Sequence, residues 1–216
     1  MGDSFFVSKF TNKPFLDIMY SENIRNIMKK YLIVVDMQND FIDGSLGSEA
    51  AKAIVPNVVE KIRNFDGRII CTKDTHFATD ASMAPGYFDT LEGKLLPVAH
   101  CMIDAKGEPT EGHNLNKEID EAVWRKPEVK VIRKYTFGSL ALVGDILNDG
   151  PSNDIESIEV CGLCTDICVV SNALLLRAAF PDVPMKVDSK CCAGVTPEAH
   201  EAALTVMRSC QIEVVE

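Results

Sequence analysis

Four stretches of this chain carry residue types that could do chemistry together. The densest is Val160-Cys161-Gly162-Leu163-Cys164-Thr165-Asp166-Ile167-Cys168-Val169-Val170. It reads as the end of a buried strand, a tight turn and the start of a helix. Thr165 is a good N-cap residue, which would make Cys168 the third helical position. Free backbone N–H groups and the positive end of the helix dipole at such a position favour an anion. That predicts a depressed thiol pKa and a ready thiolate nucleophile. A buried structural cysteine is the competing reading, because free cysteine is among the most buried residue types. This segment alone does not choose between them.

The other three stretches sit at the ends of apolar runs. Tyr31–Val35 runs into Asp36, Arg68–Thr72 runs into Lys73-Asp74-Thr75-His76, and Val129–Arg133 runs into Lys134-Tyr135. Each has an ordinary explanation as a solvated strand end. In an open α/β sheet, however, ligands bind beyond the carboxyl ends of the strands. A carboxylate, a lysine, a thiol and an Asp-x-His pair arriving there from four strands exceed what that explanation covers.

The elements needed to hold these residues can be read from periodicity. Strands are expected at Tyr31–Val35, Arg68–Thr72, Val129–Arg133, Ser157–Cys161, Pro184–Val187 and Gln211–Val215. Helices are expected at Ala50–Phe65, Leu115–Val123, Leu140–Asn148, Thr165–Phe180 and Pro197–Ser209. Apolar strands with helical crossovers predict a parallel sheet covered on both faces. The fold class is α/β, a three-layer α/β/α arrangement on a six-stranded, mostly parallel sheet. Thr165–Phe180 is apolar nearly all round and reads as a central buried helix. Lys73 to Glu111 has no strong period, and loops that long are usually functional.

Length and composition narrow the class. A chain of 216 residues suffices for one full core. The net charge is −10, with 32 acidic residues against 22 basic. That balance speaks against a nucleic-acid partner and gives no sign of an anionic membrane surface. No apolar run approaches transmembrane length. The eight cysteines sit mostly inside apolar runs, as Cys71, Cys161, Cys191 and Cys192 do, so a reducing cytoplasm is the expected compartment. Cys161 and Cys164 form the single CxxC, and no second ligand pair accompanies it as a zinc site would require.

Residues 1–27 differ from the rest: Phe5, Phe6, Phe10 and Phe15 are scattered among polar residues without a period. No signal-peptide order is visible. Met28 to Asp36 reads as a second start running into the first core strand, and a misplaced start upstream is favoured over a leader or an added helix. The expected division is thus an extension at 1–27 and one catalytic domain at 28–216.

From Met28 onward the chain resembles the isochorismatase-like cysteine hydrolase superfamily, and within it the nicotinamidase branch. Val34-Val35-Asp36-Met37-Gln38-Asn39-Asp40-Phe41 is similar to the first motif. Asp74-Thr75-His76 and His100-Cys101 resemble the metal motifs. Lys134 falls at the catalytic lysine, and Gly162 to Val169 resembles the nucleophile turn. The resemblance implies a Rossmann-like isochorismatase hydrolase fold and an amidase that hydrolyses nicotinamide, or a close heteroaromatic amide, through a thioester. Such a step belongs to pyridine-nucleotide salvage. Cys168 would be the nucleophile, Asp36 the general base and then acid, and Lys134 the group that holds Asp36. The backbone N–H groups of Cys164 and Cys168 would form the oxyanion hole, with a cis peptide at Leu163–Cys164.

The resemblance further implies one divalent metal ion on Asp74, His76 and His100. That donor set suits Zn²⁺, and also Fe²⁺ or Mn²⁺. Phe41 would stack on the substrate ring, Asp40 would order the rim, and His113 and His200 would be surface residues. The small amide substrate is the expected partner, together with further copies of the chain in a homo-oligomer. Departures are visible too. Leu95-Leu96-Pro97-Val98-Ala99-His100 lacks the tryptophan that many nicotinamidases carry before this histidine, and the sole Trp124 is far away. The pocket wall must therefore differ. Asp80 or Ser82 could add a metal ligand, and Met102–Gly112 is longer than usual.

Two other readings compete. One is a metal-independent relative acting on an N-carbamoyl or other small amide, or an isochorismatase. Isochorismatases lack the nucleophilic cysteine, and the metal-free amidases lack the Asp74, His76 and His100 set. The other is a thiol or redox protein built on Cys161, Cys164 and Cys168, for which Asp36 and Lys134 would be a coincidence.

Overall fold

The structure, a computed structural model, describes residues 28–80 and 85–216. Phe5, Phe6, Phe10, Phe15 and Ser82, with the expectations attached to them, lie outside the described residues. The chain begins with β1 (Lys29–Val35), a four-residue helix α1 (Asn39–Ile42) and the long helix α2 (Glu49–Asn64). The strand β2 (Arg68–Asp74) follows, then a short strand β3 (His76–Phe77), a short helix α3 (Leu91–Leu95) and a short strand β4 (Met102–Ile103). Next come α4 (Lys117–Val123), β5 (Val129–Lys134) and α5 (Leu140–Asn148). The chain closes with β6 (Ile155–Leu163), α6 (Val170–Ala179), β7 (Met185–Ala193), α7 (Pro197–Ser209) and β8 (Glu213–Val215).

Six strands form one sheet in the order β5-β2-β1-β6-β7-β8, and every neighbouring pair is parallel. Helices α2 and α4 pack together on one face, and α5, α6 and α7 pack in sequence on the other. This is the expected three-layer α/β/α arrangement. Leu32, Ile33, Val34 and Val35 of β1 have no exposed surface, as a strand covered on both faces must. Helix starts follow their caps: Ser48 accepts from the Ala51 N–H and Thr196 from the Ala199 N–H, with Pro197 in the first turn of α7.

The expected elements are all present, and three differences matter for function. The strand β7 runs to Ala193, well past the expected Val187, because it pairs with β6 again at Cys192 and Ala193 beyond an irregularity at its polar middle. The irregular region after β2 holds β3, α3 and β4, too short for any periodicity to announce. The segment Thr165–Phe180 is not one α-helix: Thr165–Val169 is a π-helical turn that leads into α6. Cys164 takes the cap position, and its carbonyl accepts from both Ile167 and Val169. Thr165 does not cap; its hydroxyl stands 2.8 Å from His200 Nδ1. His200 is therefore half-buried and engaged, not a free surface residue.

Gly162 shows how tightly the site is built into the sheet. Its φ is +119°, and a Cβ there would lie 2.1 Å from the Val35 carbonyl oxygen. Only glycine lets β6 pass β1 this closely, one residue before Asp36. Gly162→Ala should destabilise the domain by about 2–4 kcal/mol. Denaturant unfolding would show this as a lowered midpoint at unchanged slope. An unshifted midpoint would show that the crossing is not constrained.

Candidate active site and metal centre

The carboxyl ends of β1, β2, β5 and β6 meet in one cleft. Asp36, with φ +48°, turns the chain out of β1 and points its carboxylate into the sheet edge. Thr72 on the neighbouring strand fixes it: the Thr72 hydroxyl donates to Asp36 Oδ1 at 2.7 Å and accepts from the Asp36 N–H at 3.2 Å. Lys134 ends β5, and its Nζ lies 2.7 Å from Asp36 Oδ2, 3.0 Å from Asp74 Oδ1 and 3.4 Å from Cys168 Sγ. Asp36, Lys134 and Cys168 are all buried. The fold thus brings the three residues expected at the catalytic centre around one ammonium group.

The electrostatics of this group differ from the simple helix-start picture. Burial pushes the Cys168 thiol pKa well above its ordinary value; Lys134 opposes this, while Asp36 and Asp74 add to it. The depressed thiol expected from the sequence is therefore not what the resting site provides. The π turn sets Cys168 back into the protein among carboxylates, where desolvation outweighs the dipole. Burial also raises the Asp36 pKa, with Lys134 opposing and Asp74 adding. A protonated thiol beside a carboxylate of raised basicity is a matched donor and acceptor. Burial alone would discharge Lys134, but the carboxylates of Asp36 and Asp74 hold its pKa well above the ordinary value.

The peptide Leu163–Cys164 is cis, as expected. Asn172, missed in the sequence, secures the turn from below. Fully buried in α6, it donates to the carbonyls of Cys168 (2.8 Å) and Phe137 (3.1 Å), and its oxygen accepts from the Ser139 N–H (2.9 Å). Its signal was available as the one amide in a mostly apolar helix.

Asp74, His76 and His100 gather beside Lys134, and Glu92 of α3 joins them. Their four ligand atoms lie within 4.8 Å of one another. His76 Nε2 is 3.0 Å from Asp74 Oδ2 and 3.7 Å from Glu92 Oε1; His100 Nε2 is 3.6 Å and 3.7 Å from the same two atoms. A tetrahedron of ligands at about 2.0–2.1 Å from zinc has edges of roughly 3.3–3.4 Å, so these separations fit a small divalent ion. The supporting contacts fit as well. His100 Nδ1 is 2.8 Å from the Val98 carbonyl, which leaves Nε2 to face the cluster. Asp74 turns its other oxygen to Lys134. Burial opposes its ionisation, yet Lys134 and the two histidines hold its pKa well below the ordinary carboxylate value.

Local chemistry explains how these ligands arrive together. The Gln38 side-chain amide clamps the Asp74 backbone, accepting from its N–H at 2.7 Å and donating to its carbonyl at 2.9 Å. The β3–β4 pair, with the His76 N–H bonded to the Cys101 carbonyl, draws His100 to His76. Asp40 orders the rim as expected: Oδ2 accepts from the Cys101 N–H at 2.7 Å. Gly112 is required there, since a Cβ would fall 2.0 Å from that same oxygen. Asp80 does not join the cluster; its carboxylate accepts from the Gly86 N–H. Glu92 instead comes from a helix too short to be visible in the sequence. His113 is buried against Thr75, not on the surface, and burial next to Lys73 and Arg133 lowers its pKa to about 4.

Above these groups opens a cavity of about 800 Å³ whose floor includes Asp74, His76, His100, Cys164 and Cys168. Phe41 lines it, with its ring centroid 5.5 Å from that of His100. No lysine or arginine is among the described residues that line it.

One cleft at the carboxyl ends of a parallel α/β sheet thus holds a cysteine, a lysine, a carboxylate and a candidate metal-binding cluster. An isochorismatase domain model matches residues 30–216, and the chain belongs to that family. Among solved structures it is similar to the nicotinamidase/pyrazinamidase of Bacillus subtilis, at 26% identity and a TM-score of 0.72, over 88% of this chain and 100% of that one. The pyrazinamidase of Pyrococcus horikoshii in complex with zinc shares the fold at 23% identity and a TM-score of 0.65, covering 87% and 99% of the two chains. The N-carbamoylsarcosine amidase of Thermoplasma acidophilum does so at 24% identity and a TM-score of 0.64, covering 88% and 96%. A sequence search among curated proteins finds no match. No helix among the described residues is long and apolar enough to cross a membrane.

The metal centre makes a direct prediction. Protein exposed to Zn²⁺ and desalted should retain close to one ion per chain by elemental analysis. Glu92→Gln should weaken retention against a competing chelator by about tenfold or more. Equal retention by the variant would remove Glu92 from the ligand set.

Proposed function

We propose that this protein is a cysteine amidohydrolase that converts nicotinamide, or a close neutral heteroaromatic amide, to the acid and ammonia. The observation that carries the reading is Lys134, whose ammonium touches Asp36, Asp74 and Cys168 at once. It joins an acid–base pair and a metal-ligand cluster in one cleft. The chain's similarity to a nicotinamidase/pyrazinamidase supports the same reading.

The chemistry follows from the residues. An amide carbon is a poor electrophile, so the reaction is divided into two steps. Cys168 Sγ bonds to the amide carbon as its proton passes to Asp36. The backbone N–H groups of Cys164 and Cys168 would receive the negative oxygen, a contribution typically worth about 2.7–4 kcal/mol per donor. Asp36 returns the proton to the amide nitrogen, the C–N bond breaks, and ammonia leaves a thioester on Cys168. Water then attacks the thioester as Asp36 takes its proton; the C–S bond breaks, Asp36 returns that proton to the departing sulfur of Cys168, and the acid leaves. Lys134 stays protonated throughout and offsets the charge that moves between Asp36 and Cys168. Asp74, His76, Glu92 and His100 would hold a divalent ion, which when bound supplies a Lewis-acid anchor for the ring nitrogen of the substrate. Phe41 flanks the ring.

The cavity also weighs against the alternatives. N-carbamoyl amino acids and isochorismate carry carboxylates, and no lysine or arginine is among the described lining residues to pair with them. A neutral ring amide needs no such partner. The buried pair Asp36–Lys134 gives the thiol cluster a role that a redox protein would not need.

Ammonia release from nicotinamide by Zn²⁺- or Fe²⁺-loaded protein is the deciding assay. Turnover should vanish in Cys168→Ala and fall about 10²–10⁴-fold in Asp36→Asn. Absence of ammonia from nicotinamide, beside release from N-carbamoyl substrates insensitive to chelators, would overturn the reading.

The pH dependence has a definite sign. Asp36 must be ionised to accept the thiol proton, and its pKa is raised by burial. Activity should therefore be lost as pH falls through that raised value, at a pH above the ordinary carboxylate pKa of about 3.9. A kcat/KM profile flat down to about pH 4 would show that Asp36 is not the base.

A further inference from the structure

The cavity is too large and too apolar for a single-ring amide alone. We infer that the natural substrate is a heteroaromatic amide carrying a further apolar substituent, which lies along a wall formed by Leu91, Leu95, Leu96, Phe137 and Val195. The inference rests on the amidohydrolase reading above and names the substrate class of that same site.

Size is the first argument. A cavity of about 150 Å³ suffices for a benzene-sized ring, whereas this one measures about 800 Å³. Pockets of about 300–1,000 Å³ enclose ligands of several rings or comparable bulk. The ring anchored at the floor leaves most of the space unfilled.

The second argument is the chemistry of the wall. The five side chains all line the cavity, and all are large and apolar. Leu91 is 74% exposed, Leu95 77%, Val195 62% and Phe137 46%. The catalytic groups Asp36, Lys134 and Cys168 are by contrast buried. Apolar groups clustered around a cleft in this way gain from a ligand that removes them from water. Leu91 and Leu95 are four residues apart on α3 and share a face, and the same helix supplies Glu92 to the metal cluster. One element therefore carries both the ligand at the floor and the greasy lip above it.

Ring geometry gives the direction. The amide carbon must reach Cys168 while the ring nitrogen faces the cluster of Asp74, His76, Glu92 and His100. On a pyridine-3-carboxamide, the 5-carbon is meta to both anchored positions. A substituent there leads away from the floor and toward the lip.

The test compares nicotinamide with 5-butylnicotinamide on metal-loaded, full-length protein, with ammonia release as the readout. The butyl compound should show a kcat/KM at least tenfold higher, with the gain mainly in KM. In Leu95→Asp the ratio of the two kcat/KM values should fall at least tenfold. Because that ratio is taken within one variant preparation, partial misfolding does not affect it. Equal or poorer turnover of the butyl compound, with nicotinamide still hydrolysed, would overturn this inference and leave the amidohydrolase reading standing. So would an unchanged ratio in Leu95→Asp. If a second copy of the chain covered the lip, the butyl compound would be excluded and the inference would fall. Hydrolysis of neither amide would overturn both.

Discussion

A lysine without access to water organises this site. Lys134 is buried at the end of an edge strand, and an isolated ammonium there would be costly. It remains charged because Asp74 and Asp36 arrive from the next two strands of the sheet, and the Cys168 thiol reaches it from the turn after a fourth. The sheet order β5-β2-β1-β6 is thus also the order in which the charge is satisfied. Loss of either carboxylate would leave the ammonium short of a partner, so the acid–base pair and the metal cluster are tied through it. Burial that makes the thiol hard to ionise also makes Asp36 a better base, so the resting pair keeps its proton on sulfur until a substrate is in place.

Much of this was legible in the residues. Apolar runs of strand length ending in Asp36, Asp74 and Lys134 announced a parallel sheet and a shared rim. The Gly162-to-Cys168 stretch announced a strand, a turn and a helix. Periodicity works there because central strands and their crossovers are long and their burial is two-sided. It could not show the π turn: Thr165 has the composition of a cap, but its hydroxyl is claimed by His200, a contact across 35 residues. Nor could it show the direction of the Cys168 pKa, which depends on how many carboxylates the fold sets around the thiol.

Glu92 marks the same limit. It sits on a five-residue helix inside a stretch without a period, which the β3–β4 pairing, the Asp40 clamp on Cys101 and the Tyr87 ring packed on His76 and His100 hold over the strand ends. His113 fails for a related reason. One histidine in a loop looks solvated, yet this one is sealed under Thr75 and the Gln38 amide, whose Nε2 donates to the His113 carbonyl. Long-range side-chain bonds to backbone decide such positions, and they leave no local trace.

The charges of the cleft bear on its selectivity. Asp36, Asp74 and Glu92 face one permanent cation, Lys134, so the buried site carries an excess of negative charge. Two imidazoles beside two of those carboxylates form a donor set whose negative charge a divalent cation would neutralise. The rest of the cavity adds no basic side chain among the described residues and a wall of leucine, phenylalanine and valine. A cleft arranged this way offers an anionic group no lysine or arginine among its described lining residues, and its apolar wall would gain from contact with an apolar one.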